Sequence, residues 1–185
     1  MAARRNNRWI FLIGFSGSGK SSLGPRLAVG LGRRFYDLDD MIEKKTGRSI
    51  SEIFERKGEP AFRKREYSEL KRLVAKQGAG VVALGGGAFE SPRVRGLAKQ
   101  NALTVYLSCS VRELYRRLRE VDDRPLLNVS SSQGETPRQA RLRRIREMLN
   151  KRLANYRRAD LIHSTGSRSV AQSIAQLSRM LKDMA

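Results

Sequence analysis

The stretch GFSGSGKSS, Gly14 to Ser22, follows directly on the apolar run WIFLI, Trp9 to Ile13. Its spacing, G-x-x-x-x-G-K-S, is that of a phosphate-binding P-loop. Glycines there let the backbone turn so that successive N–H groups point at phosphate oxygens, and the following helix offers its positive N-terminal dipole to the same anion. Gly17, Ser18, Gly19, Lys20, Ser21 and Ser22 are therefore the candidate nucleotide-binding residues. Lys20 is the charge for the β- and γ-phosphates, and the Ser21 hydroxyl is a ligand for Mg²⁺. The pattern alone also arises by chance. Here it has the context it requires, a strand-like run before it and the amphipathic SSLGPRLAVGL after it. Pro25 falls near the first turn of that helix, where proline is tolerated.

A second group of chemistry-bearing residues follows each later apolar run. After RRFYDLD comes Asp37-Leu38-Asp39-Asp40. On an extended segment Asp37 and Asp39 face one side, where one can hold metal-bound water and the other can accept the proton of a phosphoryl acceptor. Asp40 is assigned to capping a helix that begins at Met41. Gly85, Gly86 and Gly87 end the run GVVALGGGA, and bare backbone at that place can approach a small ligand closely. Arg63 sits late in a charged helical segment, where surface solvation is the ordinary role of an arginine. Arg124 leads into a polar stretch and is placed to close over a transferring phosphate. Arg152 and Tyr156 lie one helical turn apart. Cys109 and the only histidine, His163, are distant in sequence and do not read as a nucleophile and its base.

The elements that must position these groups alternate. Apolar runs at 9–13, 33–39, 80–86, 102–108 and, more weakly, 160–165 are separated by helical patterns, which predicts an α/β fold with a parallel sheet covered on both faces. Ligands of such sheets bind at the carboxyl ends of the strands, where the candidate residues fall. A length of 185 residues fits one domain, 1–185. The polar stretch LNVSSSQGETP is long for a compact domain and reads as a disordered link or a mobile lid.

Composition narrows the function classes. No apolar stretch approaches the roughly 20 residues that span a bilayer, the start MAARRNNRW lacks a signal-peptide centre, and one cysteine suits a reducing compartment. The expectation is a cytoplasmic protein with no membrane role. The 38 basic against 18 acidic side chains give a net charge of +20, which attracts polyanions. The arginines nevertheless alternate with apolar residues at helical spacing, as in RQARLRRIREMLNKR, and there is no zinc-finger, zipper or aromatic RNA-binding signature. A specific nucleic-acid partner is not expected.

Taken together, GFSGSGKSSLG, FYDLDDMIE, TGRSISEIFERKGEPAFRKRE, VVALGGGA, RPLL and KRLANYRRAD, in this order, resemble the shikimate kinase family over about residues 10 to 165. The resemblance implies a three-layer α/β/α P-loop fold of the nucleoside-monophosphate-kinase kind, with a substrate-binding helical segment at about 40–77 and a mobile lid at about 119–137. It implies transfer of a phosphoryl group from ATP to the 3-hydroxyl of shikimate, with Mg²⁺ as cofactor. It further implies that Lys20, Asp39 and Arg124 are catalytic, that Asp37 and Ser21 serve the metal, and that Arg117 lies against adenine. Asp39, Arg63, Gly85, Gly86, Gly87 and Arg152 would bind shikimate, the two arginines gripping its carboxylate. ATP and shikimate are the expected partners of a monomer. The segment HSTGSRSV matches the family poorly, and Arg168 is the one candidate there. The alternatives are another small-metabolite kinase, such as a gluconate kinase, and a non-catalytic binding protein of the same family. The paired arginines with GGGA oppose the first, and intact Lys20, Asp39 and Arg124 oppose the second.

Overall fold

The computed structural model describes residues 8–76, 78–118, 134–166 and 168–184. Five strands, β1 (Trp9–Ile13), β2 (Arg34–Asp37), β3 (Gly80–Ala83), β4 (Ala102–Ser108) and β5 (Leu161–Ser164), form one sheet in the order β2-β3-β1-β4-β5. Every neighbouring pair is parallel. The sheet is thus of the expected α/β/α kind. WIFLI is buried at every position because it is the central strand, with layers on both faces. Trp9, Phe11 and Ile13 point to one core with Leu38, Phe62, Tyr106 and Tyr156, while Ile10 and Leu12 point to the other with Leu27 and Leu177.

Helices α1 (Lys20–Gly30) and α7 (Val170–Asp183) cover the second face. On the first face lie α2 (Leu38–Thr46), α3 (Ile50–Val74), α4 (Pro92–Asn101), α5 (Val111–Leu118) and α6 (Pro137–Tyr156). Pro25 is the sixth residue of α1 and so lies beyond the first turn, one turn deeper than the sequence suggested. The charged segment after Arg48 is not a continuous rod. Gly58, at φ 74° and ψ 167°, breaks α3 into two limbs and leaves Arg63 on the second.

The edge strand β5 is fixed by side chains. Asp160 accepts from the backbone N–H and the hydroxyl of Thr104, both at 2.7 Å, and its own N–H donates back to that hydroxyl at 2.9 Å. This sets the loop after β5, with Thr165, beside the end of β4. The basic helices carry their charge outward, as the alternating pattern indicated: Arg146 and Lys151 are exposed on α6, and Arg143 pairs with Glu135 and Glu147. Among the described residues no helix is long and apolar enough to cross a membrane.

Candidate active site

The strand order brings the carboxyl ends of β1, β2 and β3 together, and a cavity of about 530 Å³ opens there. Its wall includes Gly17, Gly19, Lys20, Ser21, Ser22, Asp37, Asp39, Gly86 and Arg117. The P-loop enters α1 through Gly19, whose φ of 103° an L side chain rarely adopts, and Lys20 is the first helical residue. The Lys20 ammonium donates to the carbonyls of Gly14 at 2.8 Å and Phe15 at 3.0 Å. Ser18 departs from the expected phosphate contact. It is fully buried, its N–H donates to the Phe15 carbonyl, and it does not line the cavity, because the turn directs it inward. Ser16 lines the wall instead.

Ser21 donates its hydroxyl to Asp37 Oδ2 at 2.9 Å. Asp37 ends β2 and is itself the N-cap of α2, accepting from the Asp39 N–H at 3.1 Å. The cap expected at Asp40 is therefore at Asp37, the helix begins at Leu38 rather than Met41, and Asp40 is exposed. Asp37 and Asp39 do meet one cavity, but not by strand alternation. Asp39 belongs to the first helical turn, and the cap folds it back beside its neighbour.

The other end of the site is built across the sheet. Arg63 spans two carboxylates, donating to Glu66 at 2.8 Å and to Glu59 at 2.9 and 3.1 Å, and its guanidinium lies 5.2 Å from the Phe62 ring centre. A methyl group on Gly87 would stand 2.2 Å from Arg63 Nη2, so the guanidinium would have to shift to admit it. A methyl on Gly85 would meet Asp39 Oδ1 at 2.8 Å and Glu66 Oε1 at 2.7 Å, which locates both carboxylates against the same turn. Arg152 lies over the Phe15 ring and donates to the Gly86 carbonyl at 3.1 Å. Arg63, Arg152 and Asp39 thus lie around the turn of the three glycines.

Glu66 was not singled out from the sequence. The charged stretch FRKREYSEL reads as a solvated face, yet Glu66 within it is fully buried. Burial pushes its carboxyl from 4.5 up to about 7, against the opposing pull of Arg63, and the charges of Asp39 and Glu59 add to the rise. The folded state therefore holds the Glu66 proton more tightly than the unfolded chain. The associated stability is fully present below about pH 4.5 and is lost as pH rises through about 7. Glu66→Gln is expected to flatten the fall of Tm between pH 5 and 8 relative to the unchanged protein, as read by thermal melts across that range. Identical slopes would remove Glu66 as the titrating group.

On the α5 side of the cavity, Arg117 donates to the Gly17 carbonyl at 3.2 Å, to the Thr165 carbonyl at 2.9 Å and to Glu113 at 2.7 Å. Thr165, which sequence reasoning also missed, lies with its hydroxyl 3.0 Å from the Ser18 carbonyl and joins the loop after β5 to the P-loop. A threonine in a polar loop carries no distinguishing signal. Arg168 lines the same wall. Arg124 and residues 119–133 of the expected lid lie outside the described residues. Burial raises the Cys109 thiol and lowers the His163 imidazole, which suits neither to nucleophilic catalysis.

Residues 16–182 match the family model described as shikimate kinase. A shikimate kinase of Chlorobium chlorochromatii is 42% identical over 174 residues, 94% of this chain and 90% of the relative. The solved structure of a shikimate kinase from Acinetobacter baumannii in complex with shikimate superposes with a TM-score of 0.86 at 32% identity, covering 98% of this chain and 96% of that one. A gluconokinase from Sinorhizobium meliloti, at 16% identity and a TM-score of 0.54 over 98% and 99% of the two chains, shares the fold alone.

Proposed function

The chain belongs to the shikimate kinase family, and from that membership we propose how its own residues divide the work of phosphorylating shikimate at its 3-hydroxyl with ATP. The observation that carries the reading is the position of Asp39. Its carboxylate lines the cavity that holds the P-loop and also abuts the glycine turn faced by Arg63 and Arg152. Gly17, Gly19, Lys20, Ser21 and Ser22 receive the phosphates of ATP, Lys20 leaving the carbonyls of Gly14 and Phe15 for the transferred group. Arg63 and Arg152 grip the substrate carboxylate, and the backbone of Gly85, Gly86 and Gly87 meets its hydroxyls. Asp39 orients the acceptor hydroxyl and takes its proton as the phosphoryl group arrives. Arg117 and Arg168 flank the nucleoside, and Arg124 closes over the phosphates.

Ser21 and Asp37 present hard oxygen donors in contact with each other, a set that fits Mg²⁺, which binds through one or two protein groups together with substrate phosphates. When bound there, the ion neutralises phosphate charge. Residues 1–185 act as one kinase domain, the segment 40–77 carrying the substrate grip and 119–137 the lid. The reading extends to a monomer in the cytoplasm with ATP and shikimate as its partners.

ADP release by the purified protein with ATP and Mg²⁺ tests this, with shikimate, gluconate, quinate and a nucleoside monophosphate as acceptors. Turnover is expected with shikimate only. Turnover with gluconate in its place would overturn the assignment of Arg63 and Arg152, and ATP binding without turnover on any acceptor would favour a non-catalytic role.

A further inference from the structure

Tyr156, the last residue of α6, is 1% exposed, and its hydroxyl donates to the Gly86 carbonyl, the same oxygen that receives Arg152, whose guanidinium also hydrogen-bonds the phenol oxygen. The ring is held by Tyr106 of β4, stacked at 5.0 Å between centres and 23° between planes. The helix end is held separately by Asn155, whose side chain donates to Glu90 at 3.0 Å. The other carbonyls of the glycine turn are used within it, Gly85 accepting from Ala88 at 3.0 Å and Gly87 from Glu90 at 3.1 Å. Among the described residues nothing engages the N–H groups of Gly86 and Gly87. Three consecutive glycines have no side chain to hold a peptide plane in place, so the plane's orientation must come from outside the turn.

A trans peptide points its C=O and its N–H in opposite directions. The carbonyl of Gly86 and the N–H of Gly87 belong to one such unit. We propose that Tyr156 is a positioning residue for the substrate: by pinning the Gly86 carbonyl to α6 it turns the Gly87 N–H the opposite way, as a donor to a hydroxyl or carboxylate oxygen of the substrate. The same bond keeps the Gly86 oxygen in register for Arg152, so one phenol sets both a backbone donor and a guanidinium. Burial raises the Tyr156 phenol above its ordinary range, which keeps it a donor at every pH at which the protein works. The inference rests on shikimate being the substrate, which turnover of the unchanged protein tests by itself.

Tyr156→Phe keeps the ring and its stack and removes the donor. The expected result is a rise of about tenfold in KM for shikimate, the loss of one charge-free hydrogen bond's worth of alignment, with KM for ATP unchanged. Tyr106→Phe, which trims the stacked partner without touching Gly86, should leave both constants as they were. An unchanged KM for shikimate in Tyr156→Phe, an equal rise for both substrates, or the same shift from Tyr106→Phe would each overturn the proposal. In the unchanged protein, labelled with ¹⁵N-glycine, the Gly87 amide resonance should move on titration with shikimate. A stationary Gly87 resonance in a protein that turns shikimate over would also overturn it, whatever the folding of the variants.

Discussion

Asp39→Asn is expected to lower kcat for shikimate by roughly 10² to 10⁴-fold, the range that a positioned general base supplies, while KM for ATP stays within about twofold. The substitution keeps the shape of the side chain and the Asp39 N–H that donates to the Asp37 cap, so α2 and the Ser21–Asp37 contact are undisturbed. What it removes is a negative charge at the one place shared by the P-loop cavity and the glycine turn. That charge has a second consequence. Asp39 is among the groups that push the Glu66 carboxyl upward, so its neutralisation should bring the Glu66 midpoint down from about 7. Steady-state kinetics with each substrate varied, together with the pH dependence of melting, checks both effects. Full turnover in the variant would remove Asp39 from proton transfer, and an equal loss of ATP affinity would place it with the phosphates instead.

Arg63→Ala is expected to raise KM for shikimate by roughly 10 to 100-fold, from the loss of a charge-assisted fork to the carboxylate. Nucleotide binding should be spared, because Arg63 contacts Glu59 and Glu66 and none of the P-loop residues. The guanidinium is also what opposes burial at Glu66, so without it that carboxyl rises further and is protonated at neutral pH. The variant should therefore be less stable than the unchanged protein at pH 8 and closer to it at pH 5. Combining Arg63→Ala with Glu66→Gln should restore melting at pH 8 without restoring the affinity for shikimate, which separates the grip on substrate from the neutralisation of a buried acid. Arg63→Lys offers a point charge without a fork and is expected to recover stability more fully than KM. If the double variant regained its KM, Arg63 would be a structural cation only. If Arg63→Ala weakened ATP as much as shikimate, the division of the site into two halves would be wrong.

The parts of the site that could be read from the chain are those whose chemistry is local. A P-loop needs glycines at fixed offsets, a lysine and a hydroxyl within nine consecutive residues, and WIFLI before it needs only to be apolar on both sides to be a central strand. Strand and helix alternation likewise sufficed for a parallel sheet, because each run is short and its neighbours carry helical spacing. The family resemblance then supplied roles for Arg63 and Arg152 that no local pattern carries, and assigned the acceptor hydroxyl to Asp39 rather than Asp37.

What remained illegible depends on contacts between segments far apart. The pairing of Asp37 with Ala83 at the ends of β2 and β3 is what sets Gly85 against Asp39, and with it the buried Glu66. That register is decided by packing across the 45 residues between Asp37 and Ala83, not by either segment alone. The Asp37 cap went unread because the strand ends two residues before the end of the run 33–39, and a cap and a catalytic acid use the same residue type. Ser18 looked like its P-loop neighbours, yet the turn's hydrogen bond to Phe15 sends it inward. Thr165 and Tyr156 act through single hydroxyls on backbone carbonyls 147 and 70 residues away. A sequence records which groups can donate and accept. Only the folded sheet, by choosing which carbonyl each hydroxyl reaches, decides which of them hold the site in shape.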